Sequence, residues 1–319
     1  MKIDVHHHFV PPCYAYRVPN EGGRFNFRGT KTWNPADSLE EMDRECISAG
    51  ILSISTPGIW TGNTKESIGL AHQCNEFGAR LVQDHPKRFG LFASLALPEV
   101  AACLKEIEHA YDDLQADGIG LLSNYADRWL GDPGFKEVFD ELNRRKAVIY
   151  IHPTVPNFCR DLIPYINDAT LEYPMDTTRA IASLLYSGTL SRCPNIRFIV
   201  AHGGGMLPFI AARLARIPMR DKSNATALPN GPMYELKKLY FDLTSATSVE
   251  ALACLRAFVP MSQFVFGTDF PYRKMSPTLA ELDASPFSKE EESALYGDNA
   301  LRLLPRLAAA WRPSPPVTA

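Results

Sequence analysis

A β-rich run followed by a helical one recurs eight times along this chain, and that alternation restricts the fold more than any other feature. The strand-like runs cover residues 3–9, 51–56, 88–95, 118–123, 147–152, 196–201, 239–244 and 263–267. Helical periodicity follows at 34–50, 64–83, 98–114, 134–145, 176–190, 208–217, 249–258 and 289–304. The first helix has Asn34 as N-cap and Pro35 at its first position, with Gly50 as its stop. Strands that alternate with helices pair in parallel, and eight such units in a chain of 319 residues predict an α/β protein closed as a (β/α)8 TIM barrel. Residues 1–319 read as a single domain. Two stretches fall outside the alternation. Residues 10–33, aromatic and rich in Gly and Pro, are too long for an idle connection and predict a loop that covers a site. The chain after Leu304, with Pro313, Pro315 and Pro316, predicts a loosely ordered tail.

Composition narrows the partners. A net charge of −3 with no basic stretch argues against nucleic acid. No apolar run approaches the length that spans a bilayer, and the first residues lack a charged-then-apolar leader. Seven cysteines, scattered and without CxxC spacing, point to reduced thiols and a cytoplasmic protein.

In a barrel of this kind chemistry gathers where the strands finish. Within Asp4-Val5-His6-His7-His8-Phe9, alternation along the strand points His6 and His8 one way and His7 the other. Two imidazoles about 7 Å apart on one face can bind one metal ion. A tag-like origin suits the run poorly, because it is embedded in an apolar strand. His152 ends the fifth strand, His202 ends the sixth, and Asp269 follows the eighth. Each alone has a plain structural reading: a bonded strand end, a tight turn before three glycines, a helix cap. Four histidines and a carboxylate on one rim, from four strands, point instead to a metal centre with acid–base groups. His72, His85 and His109 fall on helices or at a helix end and read as surface or packing residues.

Four pieces, Asp4-Val5-His6-His7-His8, Ile151-His152-Pro153, Ala201-His202-Gly203-Gly204-Gly205 and Gly267-Thr268-Asp269-Phe270-Pro271, resemble in order the amidohydrolase superfamily, specifically its aminocarboxymuconate semialdehyde decarboxylase-like branch. The resemblance implies one divalent metal, Zn²⁺ first and Mn²⁺ second, held by His6, His8, His152 and Asp269. It implies His202 and Asp269 as catalytic residues, with His202 orienting or activating a metal-bound water. The glycines after His202 would let backbone approach substrate closely. Two-metal members of the superfamily carry a lysine late in the fourth strand. Here that strand ends Leu122-Ser123-Asn124, so one metal is implied. The opening His-His-His-Phe-Val-Pro-Pro is most similar to the fungal 6-methylsalicylate decarboxylases of the branch.

The implied reaction is non-oxidative loss of CO₂ from a small aromatic carboxylate. The alternatives are a metal-dependent hydrolase of a lactone, ester or amide, and a barrel that binds metal without catalysis. Candidate substrate contacts are Phe9, Trp60, Tyr125, Phe270 and Tyr272 near strand ends, and Glu172 in the segment Leu171-Glu172-Tyr173-Pro174, expected in the loop after the fifth strand. Arg17, Arg24 or Arg28 in the first loop could pair with a carboxylate. Arg213 follows His202 at a spacing that resembles a family arginine reaching a neighbouring subunit, which implies a homodimer.

Overall fold

The computed structural model describes residues 1–17, 33–216 and 227–311, with the side chain of Arg17 outside the description. Eight strands form one parallel sheet: β1 (Ile3–His8), β2 (Ala49–Ser53), β3 (Phe89–Ser94), β4 (Gly118–Leu122), β7 (Val148–His152), β8 (Arg197–Val200), β9 (Tyr240–Asp242) and β10 (Phe264–Val265), neighbours in that order. A two-stranded antiparallel hairpin, β5 (Asn124–Tyr125) with β6 (Arg128–Trp129), sits between the fourth and fifth. The chain beyond β10 returns to β1: Val5 N donates to Phe266 O at 2.9 Å, Asp269 N to His6 O at 2.8 Å and His8 N to Phe270 O at 2.7 Å. These bonds close the expected TIM barrel, with helices around it.

Two apolar cores follow from strand alternation. Ile3, Val5, Ala49, Ile51, Phe92, Val148, Tyr150, Ile199 and Val265 pack together inside the barrel. Leu52, Leu91, Ile119, Leu121, Ile149 and Val200 pack outward with the helices. Leu303, Leu304 and Leu307 join the inner cluster at the strands' amino ends. The tail expectation therefore needs correction over its first residues. Pro305–Ala310 is a helix, Leu307 is fully buried, and Arg306 forks onto Asp117 at 2.9 and 2.8 Å. A proline at the first helical position opens this turn rather than preventing it. Residues 312–319 lie outside the described residues.

The first helix ends earlier than expected, at Arg44, and Gly50 is a strand residue of β2. A side chain there would place its Cβ 2.9 Å from the His7 ring, so the glycine makes room for that imidazole. The helix after β7 begins earlier than expected, at Asp168, and runs to Tyr186 through Pro174. Glu172 and Tyr173 therefore lie on a helix and not in a loop. A short helix at Met275–Asp283 also lay outside the eightfold count. No helix among the described residues is long and apolar enough to cross a membrane.

Candidate active site at the carboxyl end of the barrel

The first strand carries a bulge. Asp4 pairs with Gly50, yet His7 pairs with Leu52, so three steps on β1 match two on β2. The extra residue lets Ile3 and Val5 join the barrel interior while His6 and His8 still face the site. His7 turns outward, as alternation predicts. Its Nδ1 meets Asp4 Oδ2 at 3.2 Å and its Nε2 meets Ser38 Oγ at 2.9 Å.

The inward side chains converge. One ligating atom each from His6, His152, His202 and Asp269 lies within 4.8 Å of the others. Asp269 Oδ1 stands 3.2 Å from His6 Nε2 and 3.3 Å from His8 Nε2. His202 Nε2 lies 3.8 Å from Asp269 Oδ2. The backbone delivers the last two from strained positions, with φ of 54° at His202 and 65° at Asp269, where a side chain is disfavoured. Three glycines follow His202, and what crowds them is protein. A Cβ on Gly205, whose φ is 62°, would come within 2.2 Å of Pro174 O.

Asp242, at the end of β9, escaped the sequence reading. It is fully buried, and its Oδ2 accepts from His6 Nδ1 at 3.0 Å. Its Oδ1 accepts from the backbone of His202 and of Thr244, both at 3.0 Å. The Phe-Asp-Leu-Thr run at the seventh predicted strand end was the available signal, a lone carboxylate inside an apolar segment. His8 Nδ1 is likewise held, by Ser53 O at 3.2 Å. With each Nδ1 engaged, His6 Nε2 and His8 Nε2 are buried without a hydrogen-bond partner among the described residues. Unpaired imidazole nitrogens aimed at a shared carboxylate suit a divalent cation better than an empty polar core. The donor set, nitrogen and oxygen without sulfur, fits Zn²⁺ or Mn²⁺.

The charges follow from burial and pairing. Burial would depress His6, but Asp242 and Asp269 outweigh it and hold its pKa up at about 10. Burial lowers His8, and burial with the surrounding imidazoles drives His152 well below the usual value. Burial would raise Asp269, yet His6, His202 and His8 hold it well below the carboxylate range. The metal-free site thus carries a protonated His6 and neutral His8 and His152 beside an ionised carboxylate.

Three tyrosines surround it. Tyr150 stands 5.4 Å from the His6 ring and Tyr272 5.5 Å from the His8 ring. Tyr173 lies 5.9 Å from His152 and 6.3 Å from His202. A cavity of about 710 Å³ opens above, lined in part by Tyr173, His202, Met206, Phe209, Ser245 and Asp269.

The remaining candidate contacts are not gathered there. Phe9 is buried against Trp33 and Phe77, and Phe270 packs 5.2 Å from the outward His7 ring. Trp60 is half-buried against the outer core. Tyr125 is buried, its hydroxyl accepting from Leu122 N at 2.9 Å. Glu172 lies 3.6 Å from Arg179 Nη1. Arg213 is exposed in the last turn of Leu207–Leu214. Arg17 closes a short 3₁₀ turn, and Arg24, Arg28 and most of the covering loop lie outside the described residues.

Comparison with known proteins agrees with this architecture. The amidohydrolase family profile matches residues 3–306, and the chain belongs to that family. It is an enzyme of the family's decarboxylase group, to which its named relatives belong. A decarboxylase of Aspergillus niger, yanB, is 34% identical over 96% of this chain and 88% of the relative. The 6-methylsalicylic acid decarboxylase of Penicillium expansum is 33% identical over 96% of this chain and 97% of the relative. A solved dihydroxybenzoic acid decarboxylase from Polaromonas, with bound manganese and 2-nitroresorcinol, shares the fold at a TM-score of 0.82 and 18% identity, covering 96% of this chain and 97% of that one.

Proposed function

We propose that this chain is a metal-dependent, non-oxidative decarboxylase of a salicylate-type acid, with 6-methylsalicylate the first candidate substrate. The observation that carries the reading is the pair of buried, unpartnered Nε2 atoms of His6 and His8 facing the Asp269 carboxylate. His6, His8, His152 and Asp269 would hold one divalent ion, Zn²⁺ or Mn²⁺. Such an ion, when bound, acts as a Lewis acid toward the substrate's carboxylate and adjacent hydroxyl.

The chain's own residues move the protons. Asp269, ionised beside three imidazoles, accepts the phenolic proton and passes it to the ring carbon that bears the carboxylate. The carbon–carbon bond then breaks, CO₂ leaves, and its bonding electrons restore the aromatic ring. Decarboxylation of a carboxylate consumes one proton overall. His202, within 3.8 Å of Asp269 and 11% exposed, supplies it from solvent. Tyr173 and Tyr272 flank the ring.

The exposure of Arg213 on its helix supports a homodimer in which it meets the second copy. Seven free cysteines support a cytoplasmic setting. Incubation of the metal-loaded protein with 6-methylsalicylate should release CO₂ and m-cresol. No CO₂ from it or from other salicylates, with acid released from a lactone panel, would replace this reading with the hydrolase.

A further inference from the structure

A second set of metal-ligating side chains lies away from the barrel mouth, on the outer helices. His72 and Glu76 stand one turn apart on Thr64–Asp84, so both project to the same side. His109 reaches them from the neighbouring helical segment, at the junction of Val100–Glu108 with the π turn His109–Asp113. One ligating atom from each of the three lies within 4.8 Å of the others. The His72 and His109 rings are 4.7 Å apart at 31°.

Two further carboxylates stand behind them. Asp113 Oδ2 accepts from His109 Nδ1 at 2.7 Å, which leaves His109 Nε2 directed at Glu76 Oε1, 2.9 Å away. A carboxylate behind one imidazole nitrogen is the arrangement that orients the other toward a metal, and here that other nitrogen already faces the Glu76 carboxylate that would share the ion. Glu106 Oε2 lies 3.4 Å from His72 Nδ1. Glu76, Glu106 and Asp113 place three carboxylates around the two rings, a setting that attracts a divalent cation.

We propose that His72, Glu76 and His109 form a second, surface binding site for a zinc-type divalent cation, independent of the barrel-end centre. Ligands around tetrahedral zinc sit about 3.3 Å from one another, given metal–ligand bonds of about 2.0–2.1 Å. The Glu76–His109 pair, now hydrogen-bonded at 2.9 Å, opens by a few tenths of an ångström to reach that spacing. His72, its side chain 51% exposed, closes the remainder by rotation, and water completes the shell. The bound ion cross-links two helices of the outer layer, so it stabilises the folded chain in proportion to its occupancy.

The test is a count. Full-length protein is dialysed to equilibrium against Zn²⁺ and analysed for metal, beside His109→Ala and His72→Ala. Wild type should hold one more equivalent per chain than either variant, whatever the barrel end holds. Both variants should keep wild-type turnover, since neither side chain touches the cavity. Equal stoichiometry in wild type and both variants overturns the site. So does an extra equivalent that survives both substitutions.

Discussion

The two faces of β1 carry the same residue type at nearly the same burial and do opposite things. His7 looks outward and satisfies both ring nitrogens, on Asp4 and Ser38, between the barrel wall and the first helix. His6 and His8 look inward, and each has one nitrogen engaged and one left bare toward Asp269. Burying a polar atom without a partner costs about 1–3 kcal/mol, so the inward pair is a liability unless something binds it. The difference teaches that burial does not separate a structural histidine from a functional one. Partner count does.

The comparison can be broken most forcefully from the inward side. Asp269 is the carboxylate on which His6, His8 and His202 converge. Asp269→Asn keeps the shape but removes the charge and the proton relay. It should lower kcat for decarboxylation by roughly 10²–10⁴-fold, with an unfolding midpoint close to wild type in the absence of metal. Turnover within tenfold of wild type would remove the site from the inner face.

A smaller effect, of the opposite kind, is expected outward. His7→Ala deletes a fully buried ring and two hydrogen bonds, while Asp4 keeps Thr268 and Ser38 keeps Trp33. Stability should fall by about 3 kcal/mol, read from urea unfolding of the metal-loaded protein. Turnover per folded molecule should stay near wild type. A variant as stable as the parent but inactive would mean that both faces serve the chemistry.

Much of this division was legible before any coordinates. A histidine closing an apolar strand is visible as a break in composition, which is why His152 and His202 stood out. The alternating faces of His6 and His7 follow from strand geometry alone. The bulge that switches faces between Val5 and His6 did not show, because it depends on pairing with β2 and not on local residues. Asp242 was missed for a related reason: its role is set by a histidine 236 residues away. Pro174 hid the start of its helix, since a proline inside a helix reads as a boundary and only the packing overrides it. Phe9 and Phe270 were expected at the pocket because they adjoin ligating residues, and alternation sends them elsewhere.

The subtlest difference between the faces concerns protons. Asp242 and Asp269 overcome burial and hold His6 protonated up to about pH 10 in the metal-free site, whereas burial keeps His8 and His152 neutral. A raised imidazole contributes stability that is fully present below its unfolded value near 6.5 and lost as pH rises through about 10. Metal needs the neutral ring. At pH 8, loading Zn²⁺ at the barrel end should therefore release about one proton, from His6 alone, and none should appear above pH 10. Calorimetric titrations in buffers of different ionisation enthalpy give the count, with His109→Ala as the parent so that only the inner centre binds. Asp242→Asn should lower both the release and the affinity, the latter by about 10–100-fold, because the neutral amide no longer holds the His6 proton. Release of two or three protons at pH 8 would mean that His8 and His152 are charged as well. The inward face would then be a cluster of cations awaiting an anion, not a set of bare nitrogens awaiting a metal.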